Sequence, residues 1–145
     1  MSITKEDVAS AVEDWAAAYN ERDSTRAFAM EAGGAGFGYR TRQWRDLGST
    51  DGPYFQFTGA WLSGLTYFSL VMEELHTRVV GDTGFAWGVY IEETEAPGQP
   101  RERARVRFSK ALQRDTEGNW HILLVHRDVQ PFDDAGVYLK PAVEA

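Results

Sequence analysis

Val8, Ala11, Val12, Trp15, Ala18 and Tyr19 recur every three or four positions, the spacing of one helix face. Thr4 followed by Asp7 is a capping-box variant ahead of that run. Together they predict a first helix over 5–20. The run ERDS breaks the pattern, and Ser24 or Asp23 can cap a short second helix over about 24–32. Gly33-Gly34 ends it where glycine accepts a left-handed backbone. GFGYRTRQW at 36–44 reads as a strand, RDLGSTDGP as a polar loop and GAWLSGLTYF at 59–68 as a third helix. The period then changes to that of strands. SLVMEELHTRVV, GFAWGVYIEE, RARVRFSKALQR and WHILLVHRDVQPF are four strand-like runs separated by GDT, TEAPGQP and DTEG. Helices followed by a long antiparallel meander predict an α+β domain with about three N-terminal helices packed on one face of a curved antiparallel sheet. Strands of ten or so residues exceed the common length of about five or six, so the sheet should coil into a cone-shaped, half-open barrel.

With 145 residues, 43% hydrophobic and 26% charged, the chain is expected to be one domain, 1–145, with a core over about 5–132 and a tail at 133–145. The absence of cysteine removes disulfides, thiolate nucleophiles and thiolate-held zinc together. No run approaches the roughly 18 apolar residues of a membrane span, and MSITKEDVAS lacks the features of a secretory signal, which predicts a cytoplasmic protein without a membrane partner. A formal net charge of −7 opposes binding to a phosphate backbone, so nucleic acid is not an expected partner. Histidines at 76, 121 and 126 have no metal-ligand spacing, and neither a metal nor another cofactor is expected.

The last hairpin carries the candidate chemistry. In RDTEGNW, Asp115 and Gly118 suit a type I turn with a bulge, which sets Arg114 opposite Trp120, Leu112 opposite Ile122 and Phe108 opposite His126. A four-residue loop would instead shift the pairing by one and set Arg107 opposite His126. Either register keeps Trp120, Ile122, Leu124, His126 and Asp128 on one face, because side chains alternate with period two. His126 and Asp128 would then extend an apolar stripe to the open end of the cone.

That hairpin, with the VEDWAAAYNERD helix, resembles the nuclear transport factor 2-like superfamily, in particular its SnoaL-like group. The matching positions are Arg107-x-Ser109, then Trp120, Ile122 and His126, with Asp128 where the group often has serine. The ending HRDVQP is also similar to that of the calcium/calmodulin-dependent protein kinase II association domain. The resemblance implies a cone-shaped α+β barrel with a pocket between the concave sheet and helix 1, and a homodimer formed through the outer sheet face. It does not imply one activity, since the fold hosts isomerases, cyclases, dehydratases and non-catalytic hubs.

Two readings follow. In the first, the chain is a small-molecule pocket protein for a hydrophobic or carbonyl-bearing ligand, and as an enzyme would perform cofactor-independent isomerisation, cyclisation or dehydration. His126 and Asp128 would move the proton, and Tyr19, Trp44, Tyr67, Trp87 and Arg107 would line the cavity. Arg107 ends an alternating row, Arg101, Arg103, Arg105 and Arg107, whose planar forks suit carboxylates. The plain alternative for His126 and Asp128 is a satisfied core histidine and a structural ion pair. Glu74 and His76 share a face as a second acid/base pair, and GGAGFG at 33–38 is a helix stop and strand entry rather than a phosphate loop. In the second reading the chain is a non-catalytic dimerisation or association module, with Phe108, Leu112, Leu123 and Val125 as interface candidates.

Overall fold

The computed structural model describes residues 2–38 and 42–131; the tail expected at 133–145 lies outside them. Three helices, α1 (Lys5–Asn20), α2 (Ser24–Glu31) and α3 (Pro53–Gly64), pack against six strands. The strands are β1 (Ala35–Gly38), β2 (Gln43–Asp46), β3 (Tyr67–Val80), β4 (Thr83–Glu95), β5 (Glu102–Arg114) and β6 (Trp120–Pro131). They form one curved sheet, which does not close, in the order β2-β1-β6-β5-β4-β3, with β1 parallel to β6 and the other pairs antiparallel. The α+β cone expected from the periodicity is therefore present.

Helix α1 begins where the capping box places it. The Thr4 hydroxyl accepts from the Asp7 amide at 3.1 Å, and the Asp7 carboxylate accepts from the Thr4 amide at 2.9 Å. Its apolar face, Val8 to Tyr19, is buried against the sheet. At its end the Asn20 side chain behaves as a strand neighbour, donating to the Leu70 carbonyl at 2.8 Å and accepting from the Leu70 amide at 2.7 Å. Arg22 takes a left-handed backbone (φ 58°) and donates to the Leu62 and Leu65 carbonyls at 2.9 and 2.8 Å. These contacts tie the α1–α2 corner to the end of α3.

Two expected elements are corrected. The single strand at 36–44 is a hairpin of β1 and β2, paired from Ala35 with Asp46 to Gly38 with Gln43. Helix α3 starts six residues before the expected position of 59, because Pro53 supplies a preset φ in its first turn.

Two bulges bend the sheet. One interrupts β3 between Met72 and Glu74. Opposite it, a Cβ on Gly88 would lie 1.9 Å from the Glu74 carbonyl oxygen, so only glycine allows the strands to approach there. The other bulge falls in β6. Leu112 pairs with Ile122, but Ala111 pairs with Leu124, leaving Leu123 as the extra residue. This second bulge reverses which side chains of β6 face the helices.

Candidate functional site

Even-numbered residues of β5 form the inner face of the sheet, and Val106, Phe108, Lys110 and Leu112 are all buried there. Ile122 joins them opposite Leu112, but beyond Leu123 the inward positions of β6 pass to the odd numbers, where Val125 and Val129 pack on the core. Leu124, His126 and Asp128 consequently stand on the convex face. The expectation that Ile122, Leu124, His126 and Asp128 share one side, common to both registers considered above, is overturned by one inserted residue.

Most expected site residues lie on this convex face or at its edge. Arg107 pairs with Asp128 in register and ion-pairs with it there, the Arg107 side chain being 62% exposed. His126 sits beside Phe37 and Trp44, with ring centroids 5.4 and 6.3 Å away, and Trp44 is more than half exposed. Trp87 stacks on His76 at 5.7 Å, and His76 is bonded to Glu74 at 2.7 Å, as their shared face required. Tyr67 lies under the Arg101 guanidinium, 3.7 Å from its ring centroid. The arginine row is partnered by carboxylates: Arg101 with Glu95 at 3.4 Å, Arg103 with Glu93 at 3.2 Å and Arg105 with Glu73 at 3.4 Å. An arginine fork in the cavity is thus not supplied by Arg107. Of the expected site residues, Tyr19 faces the interior.

The interior instead holds a polar cluster that sequence reasoning passed over. Glu31, the last residue of α2, and Lys110, midway along β5, are 5% and 4% exposed. The Tyr19 hydroxyl donates to Glu31 Oε2 at 2.7 Å. The Trp15 indole N–H is buried and acts on the same carboxylate without completing a hydrogen bond. Lys110 Nζ lies 3.5 Å from the Trp15 ring centroid and 5.7 Å from that of Phe108. Tyr90 completes the aromatic wall, 5.9 Å from Trp15 and 5.6 Å from Phe108. Toward one end, Arg127 on β6 pairs with Glu92 on β4 at 3.3 Å.

Burial sets the proton affinities here. Loss of water raises the Glu31 carboxyl above its ordinary range, against the pull of Lys110, the Tyr19 hydroxyl and the Trp15 N–H. Desolvation lowers the Lys110 ammonium to about 8, against the attraction of Glu31 and with help from Arg127. Tyr19 is raised well above its usual value, first by burial and then by Glu31, and it remains a hydroxyl donor. Acid and base are therefore both brought toward neutral pH, which suits a group that must give and take protons.

A legible signal did exist for both residues. Lys110 interrupts the period-two row Val106, Phe108, Leu112, and Glu31 lies one helical turn beyond Ala27. A shallow groove of about 590 Å³ between α1, α2 and the β5–β6 turn is a weaker site. Its ionisable groups are engaged with neighbours, Arg26 with Glu21 at 2.7 Å and His121 with Asp115 at 2.8 Å. His121 and two backbone amides hold Asp115 down to about 2, so it stays a carboxylate. Among the described residues, no helix is long and apolar enough to cross a membrane.

Similar molecules share this architecture. A scytalone dehydratase, provisionally assigned, from Novosphingobium aromaticivorans superposes with a TM-score of 0.73 at 10% identity, over 95% of this chain and 92% of that one. A nuclear transport factor 2-like superfamily protein from Salmonella enterica has a TM-score of 0.67 at 14% identity, over 97% and 96%. A calcium/calmodulin-dependent protein kinase II hub from S. rosetta has a TM-score of 0.66 at 12% identity, over 89% and 98%. At such identities the likeness shows the fold and nothing finer. No curated protein matches the sequence. The sequence itself matches the SnoaL-like domain over residues 8–129, nearly the whole described core, and the chain belongs to the SnoaL-like domain family.

Proposed function

We propose that this protein binds a small hydrophobic carbonyl compound in the interior of the cone and acts on it by acid/base chemistry without a cofactor. The observation that carries this reading is the buried hydrogen bond from Tyr19 to Glu31, beside an unpaired indole N–H and a buried lysine. Ionic groups set in an aromatic interior cost folding free energy, and their usual return is recognition or catalysis. Glu31 takes the proton-moving role expected for His126 and Asp128, and Tyr19 donates to oxygen where charge develops. Isomerisation, cyclisation or dehydration next to a carbonyl are the reaction types that need only these groups. Thermal shifts across a panel of cyclic ketones and aromatic aldehydes test the assignment. A shift retained in His126→Ala and abolished in Glu31→Gln, which keeps the shape and the Tyr19 contact, is the expected pattern. Loss in His126→Ala with retention in Glu31→Gln returns the site to the convex face.

A second reading, association through a homodimer, draws on the convex face. Val71, Phe85, Trp87 and Leu124 stand there with exposures of 59, 39, 43 and 43%, alongside the bulged Leu123 at 41%. Of the earlier interface candidates, Phe108 and Leu112 are interior and Val125 packs on the core, so Leu123 alone remains available. Charges of both signs are interspersed there as ion pairs, which suits the twofold contact between identical chains that this reading requires. Light scattering should give twice the chain mass for the wild type and a monomer for Trp87→Asp. A wild type that is monomeric at every concentration overturns the dimer.

A further inference from the structure

Lysine is scarce in this chain. Of 15 cationic residues only Lys5, Lys110 and Lys140 are lysines, the rest being arginine, and Lys110 sits in the interior. Arginine keeps its charge and cannot act as a nucleophile, whereas a lysine stripped of water can become a neutral amine. The surroundings of Lys110 favour that form. Among the described residues its ammonium makes no hydrogen bond and no ion pair, and it lies against the face of Trp15. Glu31 acts on it electrostatically from α2 without forming an ion pair with it.

We propose that Lys110 is an imine-forming residue, whose amine condenses reversibly with an unhindered aldehyde or ketone admitted to the interior, while Glu31 moves the protons. This deepens the function proposed above and rests on that reading of the interior. The nitrogen lone pair forms the C–N bond as the carbonyl π pair moves onto oxygen. Glu31, entering as the carboxylic acid that its burial favours, gives that oxygen its proton, and the resulting carboxylate takes one from nitrogen, giving a neutral carbinolamine. Glu31 then returns its proton to the hydroxyl, which departs as water while the nitrogen lone pair forms C=N. This leaves a protonated imine and a Glu31 carboxylate, which takes the N–H proton back when the neutral imine forms, so one amine and one carbonyl yield one imine and one water, and no oxidant or reductant is consumed. Once protonated, the imine withdraws electrons from the adjacent carbon, so enolisation becomes easier there. The charged groups that act on the amine are Glu31 from α2 and Arg127 from β6, and the rings beside it are Trp15 from α1 and Phe108 from its own strand. With a value near 8 rather than 10.5, Lys110 has a roughly three-hundredfold larger neutral fraction at pH 7 than an exposed lysine.

Benzaldehyde with sodium cyanoborohydride is the probe, applied briefly to the full chain at pH 7 and read by intact mass and peptide mapping. Lys110 should gain one benzyl group at least about tenfold faster than Lys5, the exposed internal standard, with a rate that rises through pH 8. Lys110→Arg should keep binding benzyl alcohol, which cannot form an imine, in saturation-transfer NMR while losing the fast modification. Should benzyl alcohol bind the wild type while Lys110 reacts no faster than Lys5, the amine role is overturned and the pocket stands. Failure of benzyl alcohol to bind, together with an inert Lys110, removes both.

Discussion

A Glu31→Leu variant is expected to lose about 3–5 kcal/mol of stability near neutral pH, and adding Lys110→Met should restore that loss and contribute about 1–4 kcal/mol beyond the wild type. The single change leaves the Lys110 ammonium in an aromatic interior with its counter-charge gone, and the Tyr19 hydroxyl without its acceptor. Either penalty follows from removing one partner of a buried polar pair. The double variant replaces a desolvated carboxylate and amine with side chains that need no water, inside walls already made by Trp15, Tyr90 and Phe108. Urea unfolding of all four members of the cycle gives the coupling directly. Additive losses, with the double variant the least stable, would mean that Glu31 and Lys110 serve the fold, and the functional reading would lose its main support.

Stability should also climb by about 2 kcal/mol between roughly pH 8 and 10. Lys110 titrates near 8 in the folded chain and at the ordinary 10.5 when unfolded. Below pH 8 it is charged in both states and its burial is a constant cost. Between these values the unfolded chain holds a proton that the folded chain has released, so raising the pH favours folding. The rise ends near pH 10, because Tyr19 and Tyr90 are shifted upward by burial, stay protonated in the folded state and so lose ground to ionised tyrosines in the unfolded chain. Glu31, also shifted upward, acts at the acid end: its share of stability is fully present below the ordinary carboxyl value and fades as pH rises through the folded value. Lys110→Met should flatten the profile between pH 8 and 10 in denaturation curves at fixed pH. A slope that persists in that variant would assign it to another group.

The two halves of the molecule differ in how far their residues announce them. Helix α1 could be placed to the residue, because a capping box and a helical stripe are local signals that the tertiary fold only had to accept. Helix α3 and the β1–β2 hairpin were misplaced, since Pro53 and the aromatic run near Phe37 each permit more than one local structure. The candidate site was misread for a sharper reason. Counting by twos from Trp120 carries His126 and Asp128 inward, and a single extra residue at Leu123 turns both outward and gives Arg127 their place. Bulges leave no mark in a run of Ile, Leu and Val, where every position is apolar enough for either face.

By itself the chain determined the fold class, the order of helices and strands, the long coiled meander and the family hairpin, because these depend on periodicity, caps and turns within a few neighbouring residues. Only the tertiary structure decided which ionisable groups share the dry interior. Glu31, Tyr19 and Lys110 come from three elements, and what unites them is the phase of a strand after a bulge and the angle of a helix across a curved sheet, quantities that long-range packing sets and no local pattern records.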